Sequence, residues 1–400
     1  MKVQAWLYRV KSPTGGELPV LFLDTDIPGN LAEDRKITDH LYGGDKSYRL
    51  KQEIVLGIGG ARLLQILGFR VRKYHLNEGH ASLLTLELLN HHRLSVEDTW
   101  DERASWDTRR VQDKCVFTTH TPVEAGHDRF PYELVERIMG EVIPTDLLQE
   151  LGGKDELNMT MLALNLSHFV NGVAKKHGEV SHALFPGFEI HAITNGIHPF
   201  TWGSPYMMTL FDKYLPGWAN EPELLVRVDI IPDAEIQDAH AGAKAYLFQY
   251  IEEVAGVKFD PELLTIGFAR RATAYKRANM IFSDPALLKK IGNGKLQLVF
   301  AGKAHPQDDH GKKMIQEIRK QTEFFGDDLK IVYLPNYNID VASRLIPGVD
   351  IWLNNPQRPL EASGTSGMKA ALNGVPNFSV LDGWWIEGHI EGVTGWSIGP

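Results

Sequence analysis

The sequence predicts an α/β protein of two domains, each built around a parallel β-sheet. Short apolar runs alternate with segments of helical periodicity, and the alternation falls into two blocks that join near residues 205–235. A chain of 400 residues is also too long for one ordinary hydrophobic core. Strands that alternate with helices form parallel sheets covered on both faces. We therefore predict domains at 1–205 and 206–400, with a site in the cleft between them.

The first block contains strands recognised by short apolar runs and helices recognised by apolar residues three or four positions apart. In Pro19–Asp24 an apolar run ends at turn residues, and in Ile54–Leu67 apolar residues recur at helical spacing. The predicted strands are Val3–Val10, Pro19–Asp24, Val71–His75, Lys114–Thr119 and Glu189–Thr194, and the predicted helices are Ile54–Leu67 and His80–Leu89, with further helices in Pro131–His177.

The second block repeats the alternation more regularly, beginning with a long helical pattern at Asp233–Ala255. Because ligands of parallel sheets bind beyond the carboxyl ends of the strands, the turns that follow strands are the candidate site segments. The predicted strands are Leu264–Phe268, Leu296–Ala301, Leu329–Leu334 and Val349–Leu353, and the predicted helices are Ala278–Lys290, Lys312–Phe325, Val341–Ile346 and a helix start at Gly367–Asn373.

The composition argues against several classes of protein. A net charge of -9 argues against a nucleic-acid-binding surface, because phosphate backbones require clustered Lys and Arg. The single cysteine, Cys115, cannot form an intrachain disulfide, and its apolar neighbours indicate an inert core thiol. No apolar run approaches the length of a membrane span. We expect a cytoplasmic protein that binds neither nucleic acid nor membrane.

The segment Glu361–Lys369 follows a predicted strand and opens a helix. Its small residues let backbone N–H groups approach a ligand, and a helix N-terminus suits a phosphate. Lys369 is expected in the first turn of that helix, where the helix dipole disfavours a cation. Such a lysine either faces an anion or acts as an uncharged amine, for example toward an aldehyde cofactor. A plain Gly/Ser loop with a solvated lysine is the alternative.

The segment Arg270–Arg277 carries four cations in eight residues directly after a predicted strand. Arginine forks and a lysine point charge at a strand end indicate an anion site. A solvated basic turn is the alternative reading.

Three further turns place polar side chains after strands: Asn77–His80, Thr118–Pro122 and Thr194–His198. Histidine, asparagine, glutamate and hydroxyl groups at several strand ends could line a cleft for a polar ligand, although each turn alone could be structural. The pairs His75/His80 and His305/His310 lack a reliable ligand spacing, so no metal site is predicted.

Taken together, these segments resemble the α-glucan phosphorylases, the glycogen and maltodextrin phosphorylases. Glu361–Lys369 is similar to that family's pyridoxal-phosphate lysine segment, and the other landmarks follow in the family's order. The resemblance runs from about Val20 to Gly399 and is closer to the shorter bacterial and archaeal branch. It implies a GT-B type glycosyltransferase fold of two Rossmann-like domains facing a cleft, with pyridoxal 5'-phosphate as cofactor.

The resemblance also implies roles for individual residues. Lys369 would hold pyridoxal 5'-phosphate as a Schiff base, and Arg271, Lys276 and His120 would join it as catalytic residues. The other implied residues are Arg270, Thr365, Ser366, Tyr337 and Trp202 for the cofactor, and Asn195, Glu361, Ser363, Gly364, Glu78 and His80 for the sugar. Asn338 stands where longer members of the family have an arginine, which puts one expected contact in doubt.

The implied activity is the phosphorolysis of α-1,4-glucans by inorganic phosphate, which releases α-D-glucose 1-phosphate with retention. The family's upstream glycine-rich loop has no match before Val20, so we expect an incomplete N-terminal domain and weak or no activity of this chain alone. Two alternatives stay open: a sugar-nucleotide-dependent glycosyltransferase of the same fold, and an inactive glucan-binding fragment. A homodimer is left open as the assembly.

Overall fold

The computed structural model describes residues 1–12, 15–41, 43–99, 101–123, 126–305 and 308–399. The chain divides into two compact units, Met1–Ile193 and Thr194–Pro400. The predicted boundary at residue 205 and the assignment of a ligand to each side remain predictions. Within the described residues, no helix is long and apolar enough to cross a membrane.

The first unit contains a parallel sheet of four strands in the order β3-β4-β7-β8 and two separate antiparallel pairs, β1-β2 and β5-β6. Its strands are β1 (Gln4–Lys11), β2 (Glu17–Asp24), β3 (Tyr74–Asn77), β4 (Cys115–Thr118), β5 (Arg129–Pro131), β6 (Glu156–Asn158), β7 (Phe169–Gly172) and β8 (His191–Ala192). Its helices are α1 (Lys46–Ile54), α2 (Gly60–Ile66), α3 (Leu84–His91), α4 (Thr108–Gln112), α5 (Tyr132–Met139), α6 (Thr145–Gly152), α7 (Met159–Asn165) and α8 (Lys175–Leu184).

The core of the first unit packs helices against this sheet. A π-helical turn at Val55–Gly59 joins α1 to α2, so the predicted helix Ile54–Leu67 lies within one longer helical segment. Cys115 and Phe117 of β4 are fully buried, and burial raises the pKa of Cys115 to about 12. A thiol with so high a pKa stays protonated, which agrees with an inert core cysteine.

The second unit is built on a parallel sheet of six strands in the order β11-β10-β9-β12-β13-β14. Its strands are β9 (Leu264–Ala269), β10 (Leu296–Ala301), β11 (Ile331–Leu334), β12 (Ile351–Asn354), β13 (Asn377–Val380) and β14 (Gly395–Ile398). Its helices are α9 (Pro199–Trp202), α10 (Pro205–Tyr214), α11 (Asp233–Ala255), α12 (Pro285–Gly292), α13 (Asp309–Phe325), α14 (Ile339–Leu345), α15 (Thr365–Leu372) and α16 (Trp385–Gly388).

The strand order of this second sheet is that of the doubly wound Rossmann fold, 3-2-1-4-5-6 when the strands are counted along the chain. The order reverses between β9 and β12, which lie side by side. In such sheets the crevice outside the carboxyl ends of these two strands is the expected ligand site. The α/β class predicted from the sequence is therefore confirmed, and the fold itself indicates where to look for the site.

Hydrophobic residues cover both faces of the six-stranded sheet. Along β10, Leu298 and Phe300 pack into one cluster with α12 and α13, and Val299 and Ala301 pack into another with α11, α14 and α15. Alternate side chains of a strand point to opposite faces, so a strand buried on both sides is apolar throughout.

The amino ends of β9 and β12 are joined to α11 by a half-buried acid, Asp350. Its carboxylate accepts hydrogen bonds from Thr265 N at 2.6 Å and from Lys244 Nζ at 2.8 Å, and it contacts His240 Nε2 at 2.9 Å. Burial alone would raise the pKa of Asp350, but these three partners hold it below its ordinary value. Asp350 thus holds together the amino ends of β9 and β12, at the end of the sheet opposite to the expected ligand site.

Several predicted elements differ from the structure in their bounds, and two of them show the physical reason. The helix predicted at Ala278–Lys290 begins only at Pro285, because Asp284 caps it by accepting a hydrogen bond from Leu287 N and proline suits the first helical position. The strand predicted at Val71–His75 is shifted to β3, where Leu76 lies opposite Phe117 in the core.

We predict that Gly267→Ala destabilises the second unit by roughly 1–3 kcal/mol, because overpacking a core strand forces its neighbours to move. A Cβ on Gly267 would lie 2.9 Å from a methyl group of Val349 and 3.2 Å from the ring of Trp352. Urea denaturation measures the loss. The control is Gly60→Ala, whose Cβ would meet only Leu23, at 4.0 Å. Unchanged stability of Gly267→Ala would contradict this packing.

Candidate functional site

Three charged side chains meet where the strand order reverses. Arg270 directly follows β9, and its Nη2 lies 2.7 Å from Glu361 Oε2 while its Nη1 donates to Asn354 Oδ1 at 3.0 Å. Lys276 Nζ contacts the same Glu361 oxygen. The side chains of Arg270, Lys276 and Glu361 are only 8–9% exposed. The structure thus brings together two predicted phosphate ligands and one predicted sugar ligand.

Burial shapes the charge of this cluster, which we call the switch-point cluster (Arg270, Lys276 and Glu361). Burial, and then the charge of Arg270, lower the pKa of Lys276 to about 7. Burial alone would raise the pKa of Glu361, but the two cations hold it below its ordinary value. A guanidinium has five N–H donors and an ammonium three, so the cations retain donors beyond those that contact Glu361. Those donors suit an anion.

Arg277 is a correction to the prediction of four anion-binding cations. Its Nε donates to Asn355 O at 2.8 Å and its Nη2 to Pro356 O at 2.9 Å, while Asn355 Nδ2 donates back to Arg277 O. The guanidinium is therefore used to hold the segment after β12 against the loop after β9. Arg271, by contrast, is exposed and follows Arg270 at the end of β9.

The loop that carries Glu361 leads directly into α15. Gly364 adopts the left-handed conformation with φ of 90°, and α15 starts at Thr365. The helix thus begins two residues earlier than predicted, and Lys369 lies in its second turn rather than its first. The dipole argument for Lys369 is correspondingly wrong. Ser366 Oγ accepts a hydrogen bond from Trp352 Nε1 at 3.2 Å and keeps its hydroxyl hydrogen to donate.

Lys369 lies against an aromatic ring. Its Nζ is 3.5 Å from the ring centroid of Trp202, and burial lowers its pKa. In the part of the chain that the structure describes, no carboxylate forms an ion pair with Lys369. Asn373 fixes this arrangement, because its side chain donates to Trp202 O and to Lys369 O, each at 2.8 Å. An amine in such surroundings is more readily neutral, as a nucleophile must be.

Buried polar atoms around the loop have no protein partner. Ser363 Oγ, Thr273 Oγ1 and Asn355 Oδ1 are buried without a hydrogen bond among the described residues. Buried polar groups are nearly always paired, so an unpaired set requires an explanation such as a bound ligand.

Three further predicted positions belong to the second unit: Tyr337, Asn338 and Asn195. Tyr337 packs with Trp202 against the core, and burial raises its pKa to about 12, with the charge of Arg270 acting in the opposite sense. Asn338 caps α14 by accepting a hydrogen bond from Val341 N at 2.9 Å, so it has a structural task. Asn195 is half-buried in the segment that precedes α9.

In the first unit, Glu78 and His120 meet at the carboxyl ends of β3 and β4. The Glu78 carboxylate accepts hydrogen bonds from His120 N at 2.8 Å, from Thr121 Oγ1 at 2.9 Å and from Gly79 N at 3.1 Å. His120 Nε2 lies 2.5 Å from Asn77 Oδ1, and burial lowers its pKa. Glu78 therefore holds the loop, and His120 is a neutral hydrogen-bonding group near pH 7.

His80 belongs to a different cluster of the first unit. Its Nδ1 lies 2.6 Å from Arg49 Nη2, 3.2 Å from Asp128 Oδ2 and 3.7 Å from Glu53 Oε1. Burial lowers the pKa of His80, but the two carboxyl groups raise it to about 9. The ligand atoms of Glu53, His80 and Asp128 converge as they would on a cation. Arg49 also pairs with Glu53 and Asp128, so the positive charge is already supplied by the protein.

The sequence interpretation missed two residues that hold the site, Asn373 and Asp382. The Asp382 carboxylate accepts a hydrogen bond from Glu361 N at 2.9 Å. Position alone could have identified Asp382, because it follows a strand and precedes a glycine. A separate cavity of about 720 Å³, along β11 and α13, contains none of the predicted site residues; Lys303, Lys312 and Arg319 line it.

Buried cations at the switch point of a doubly wound domain are the arrangement expected of an α/β protein with an anion site. The comparisons with known proteins make the class specific. The family model of carbohydrate phosphorylases matches residues 145–393. The chain therefore belongs to the carbohydrate phosphorylase family, which confirms the predicted resemblance.

Curated relatives agree with this family. The chain is 40% identical to the maltodextrin phosphorylase of Thermococcus litoralis over 96% of its own length and 49% of the relative's. It is 37% identical to the glycogen phosphorylase of Mycobacterium bovis over 100% and 51% of the two lengths. It is 38% identical to the glycogen phosphorylase of Aquifex aeolicus over 96% and 60%. The chain thus spans about half the length of the first two relatives.

We predict that the affinity of the protein for sulfate falls as the pH rises through about 7. Lys276 is cationic below its pKa and neutral above it, whereas the charge of sulfate stays constant. Isothermal titration calorimetry between about pH 6 and about pH 9 measures the change. Lys276→Met should weaken binding and flatten the pH dependence, and Lys303→Met, at an exposed lysine, should preserve it. A pH-independent affinity of the unmodified chain would contradict the assignment.

Proposed function

We propose that this chain carries the catalytic site of an α-glucan phosphorylase that uses pyridoxal 5'-phosphate. The reaction is the phosphorolysis of α-1,4-glucans, such as glycogen, starch or maltodextrin, and it yields α-D-glucose 1-phosphate with retention. The observation that carries the proposal is the switch-point cluster, which adjoins the loop that opens α15 and leads to Lys369. The relatives named above are maltodextrin and glycogen phosphorylases, which supports the same substrate class.

The residues around Lys369 fit pyridoxal 5'-phosphate. Burial lowers the pKa of the Lys369 amine, which favours the neutral form that bonds to an aldehyde. The ring of Trp202 lies under the amine and offers a surface for a planar cofactor. Tyr337 packs against the same hydrophobic cluster as Trp202. These three residues would hold the cofactor's ring.

Two phosphates need separate sets of donors in one site. The α15 N-terminus with Thr365 and Ser366, together with Arg270, would bind the phosphate of the cofactor. Arg271 and Lys276 would bind the substrate phosphate. Neighbouring phosphates repel each other strongly unless cations lie between them, and buried cations act more strongly than exposed ones. The buried Arg270 and Lys276 answer that requirement.

When bound, pyridoxal 5'-phosphate supplies a phosphate group that can donate a proton to the substrate phosphate. Lys276 would keep the substrate phosphate in contact with it and orient an oxygen toward the glycosidic bond. Glu361 would contact the sugar while remaining beside both cations. Ser363 Oγ, which has no hydrogen-bond partner in the described part of the chain, would donate to a sugar hydroxyl. The remaining proposed sugar ligands are Gly364, Asn195, His120, Glu78 and His80.

The two alternatives explain less of the site. A sugar-nucleotide glycosyltransferase would use the cations but leave Lys369, which is half-buried against Trp202, without a task. A glucan-binding fragment without activity would leave the buried cations Arg270 and Lys276 without a role. The single cysteine fits a cytoplasmic location, which is part of the proposal, and a homodimer remains open.

We predict that pyridoxal 5'-phosphate gives this protein a near-ultraviolet or violet absorbance band that sodium borohydride fixes onto Lys369. Peptide mass spectrometry locates the reduced adduct. Lys369→Ala should abolish the fixed band, because Lys369 is the lysine whose amine lies over the Trp202 ring among the described residues. Lys303→Ala, at an exposed lysine of the same unit, is the control and should keep it. Labelling that persists in Lys369→Ala would overturn the cofactor assignment.

We also predict that Lys276→Ala retains the cofactor but lowers kcat/KM for inorganic phosphate by at least about 100-fold, the cost of removing one donor to developing charge. The release of glucose 1-phosphate from maltodextrin and calorimetric binding of phosphate to the cofactor-loaded protein measure the loss. The retained absorbance band shows that the fold is intact. Unchanged use of phosphate by this variant would sink the assignment of Lys276.

A further inference from the structure

The short turn after β13, residues 382–384, is hydrogen-bonded to the loop that carries Glu361. Asp382 is only 3% exposed, and its two carboxylate oxygens are both used. One oxygen accepts a hydrogen bond from Glu361 N at 2.9 Å, and the other accepts one from Gly383 N at 2.9 Å. Asp382 therefore joins the carboxyl end of β13 to the first residue of the loop.

The next two residues of the turn, Gly383 and Trp384, also contact the loop. Trp384 N donates to Ser363 O at 2.8 Å. The Trp384 indole also contacts two glycines. A Cβ on Gly364 would lie 3.4 Å from the ring, an ordinary contact, so it is the φ of 90° that favours glycine there. A Cβ on Gly367, in α15, would lie 3.0 Å from Trp384 Nε1 and 2.6 Å from Asn377 Oδ1, which is too close. Gly383 has a φ of 55°, and a Cβ there would overlap Ser363 O. The turn thus contacts the loop at Glu361, Ser363 and Gly364, and it contacts α15 at Gly367.

We propose that Asp382 is the positioning residue of the anion site, and that the turn 382–384 sets the place of Glu361 between Arg270 and Lys276. Asp382 touches neither cation in an ion pair within the described chain, so it acts through Glu361 and the loop. Trp384 keeps Ser363 and the start of α15 in the same arrangement. The identity of the ligand rests on the proposed function. The positioning of Glu361 by the turn does not.

Asp382 also contributes to the charge balance. Arg270, Arg271 and Lys276 supply three positive charges and Glu361 and Asp382 two negative ones, so these groups carry one net positive charge when all are ionised. Burial, and the charge of Glu361, raise the pKa of Asp382. Removing its charge leaves Lys276 with one carboxylate fewer nearby, so the ammonium form becomes less stable. The pH at which anion binding declines should then move downward.

Two pairs of variants test the proposal. Asp382→Asn keeps the volume but turns an NH₂ group toward a backbone N–H. Its control is Asp350→Asn, at a half-buried acid that accepts a backbone N–H at the amino end of the same sheet. Gly383→Ala displaces the loop differently, because the new Cβ would overlap Ser363 O. Its control is Gly374→Ala, where φ is similar at 70° but the nearest atom to the new Cβ would lie 3.6 Å away.

The readouts are hydrogen exchange at the Glu361 amide, the dissociation constant of pyridoxal 5'-phosphate, and the pH dependence of sulfate binding. We expect Asp382→Asn and Gly383→Ala to release the Glu361 amide and to weaken both ligands at least about tenfold, as expected when a hydrogen bond to a charged group is lost. Asp382→Asn alone should move the pH dependence of sulfate binding downward. Both controls should keep ligand affinities within about twofold of the unmodified protein, measured on folded protein.

Each outcome decides the question. If Asp382→Asn binds both ligands like Asp350→Asn, the positioning role is wrong and the proposed function stands. If the unmodified protein binds neither ligand, the proposed function fails, and exchange at the Glu361 amide still decides the positioning role. An amide that stays protected in both Asp382→Asn and Gly383→Ala overturns it.

Discussion

The carboxylate of Glu361 is shared by Arg270 and Lys276 in the interior of the second unit, and most of the site is organised around that contact. A buried charge costs several kcal/mol unless a partner and further hydrogen bonds compensate it. Arg270 and Lys276 follow β9, and Glu361 lies 85 residues after Lys276, beyond β12. They meet only because the order of the sheet reverses and makes β9 and β12 neighbours. The topology thus brings the charges together, and the charges in turn join the two strand ends.

Carboxylates that accept hydrogen bonds from backbone N–H groups recur throughout the protein. Glu78 holds the loop after β4 of the first unit through His120 N, and Asp350 holds the amino end of β9 through Thr265 N. Asp382 does the same for the loop that leads to α15. A carboxylate bonded to backbone N–H groups fixes a loop without a long hydrophobic contact, because charged hydrogen bonds are short and strong. This arrangement leaves the side chains at the strand ends available for a ligand.

Much of the fold is predictable from local patterns. The helix predicted at Asp233–Ala255 and the strand predicted at Leu296–Ala301 match α11 and β10 at both bounds. The helix predicted from Ala278 was wrong because the decisive signal was a capping aspartate and a proline rather than the apolar spacing. Local composition also counted Arg277 as an anion ligand, although its guanidinium binds two carbonyl groups 78 and 79 residues away. The contacts of Asp382 and Asn373 depend on such long-range approaches, which a single sequence does not encode in any local pattern. Residue roles taken from the resemblance remain proposals until ligands are located.

The central claim is that the anion site lies at the switch point of the second sheet. Anomalous diffraction from crystals soaked in tungstate, a phosphate-like oxyanion, tests it most directly. The account predicts a tungstate peak within hydrogen-bonding distance of Arg270 and Lys276, near the start of α15. A peak confined to the cavity lined by Lys303, Lys312 and Arg319, with none beside the switch-point cluster, would contradict the account.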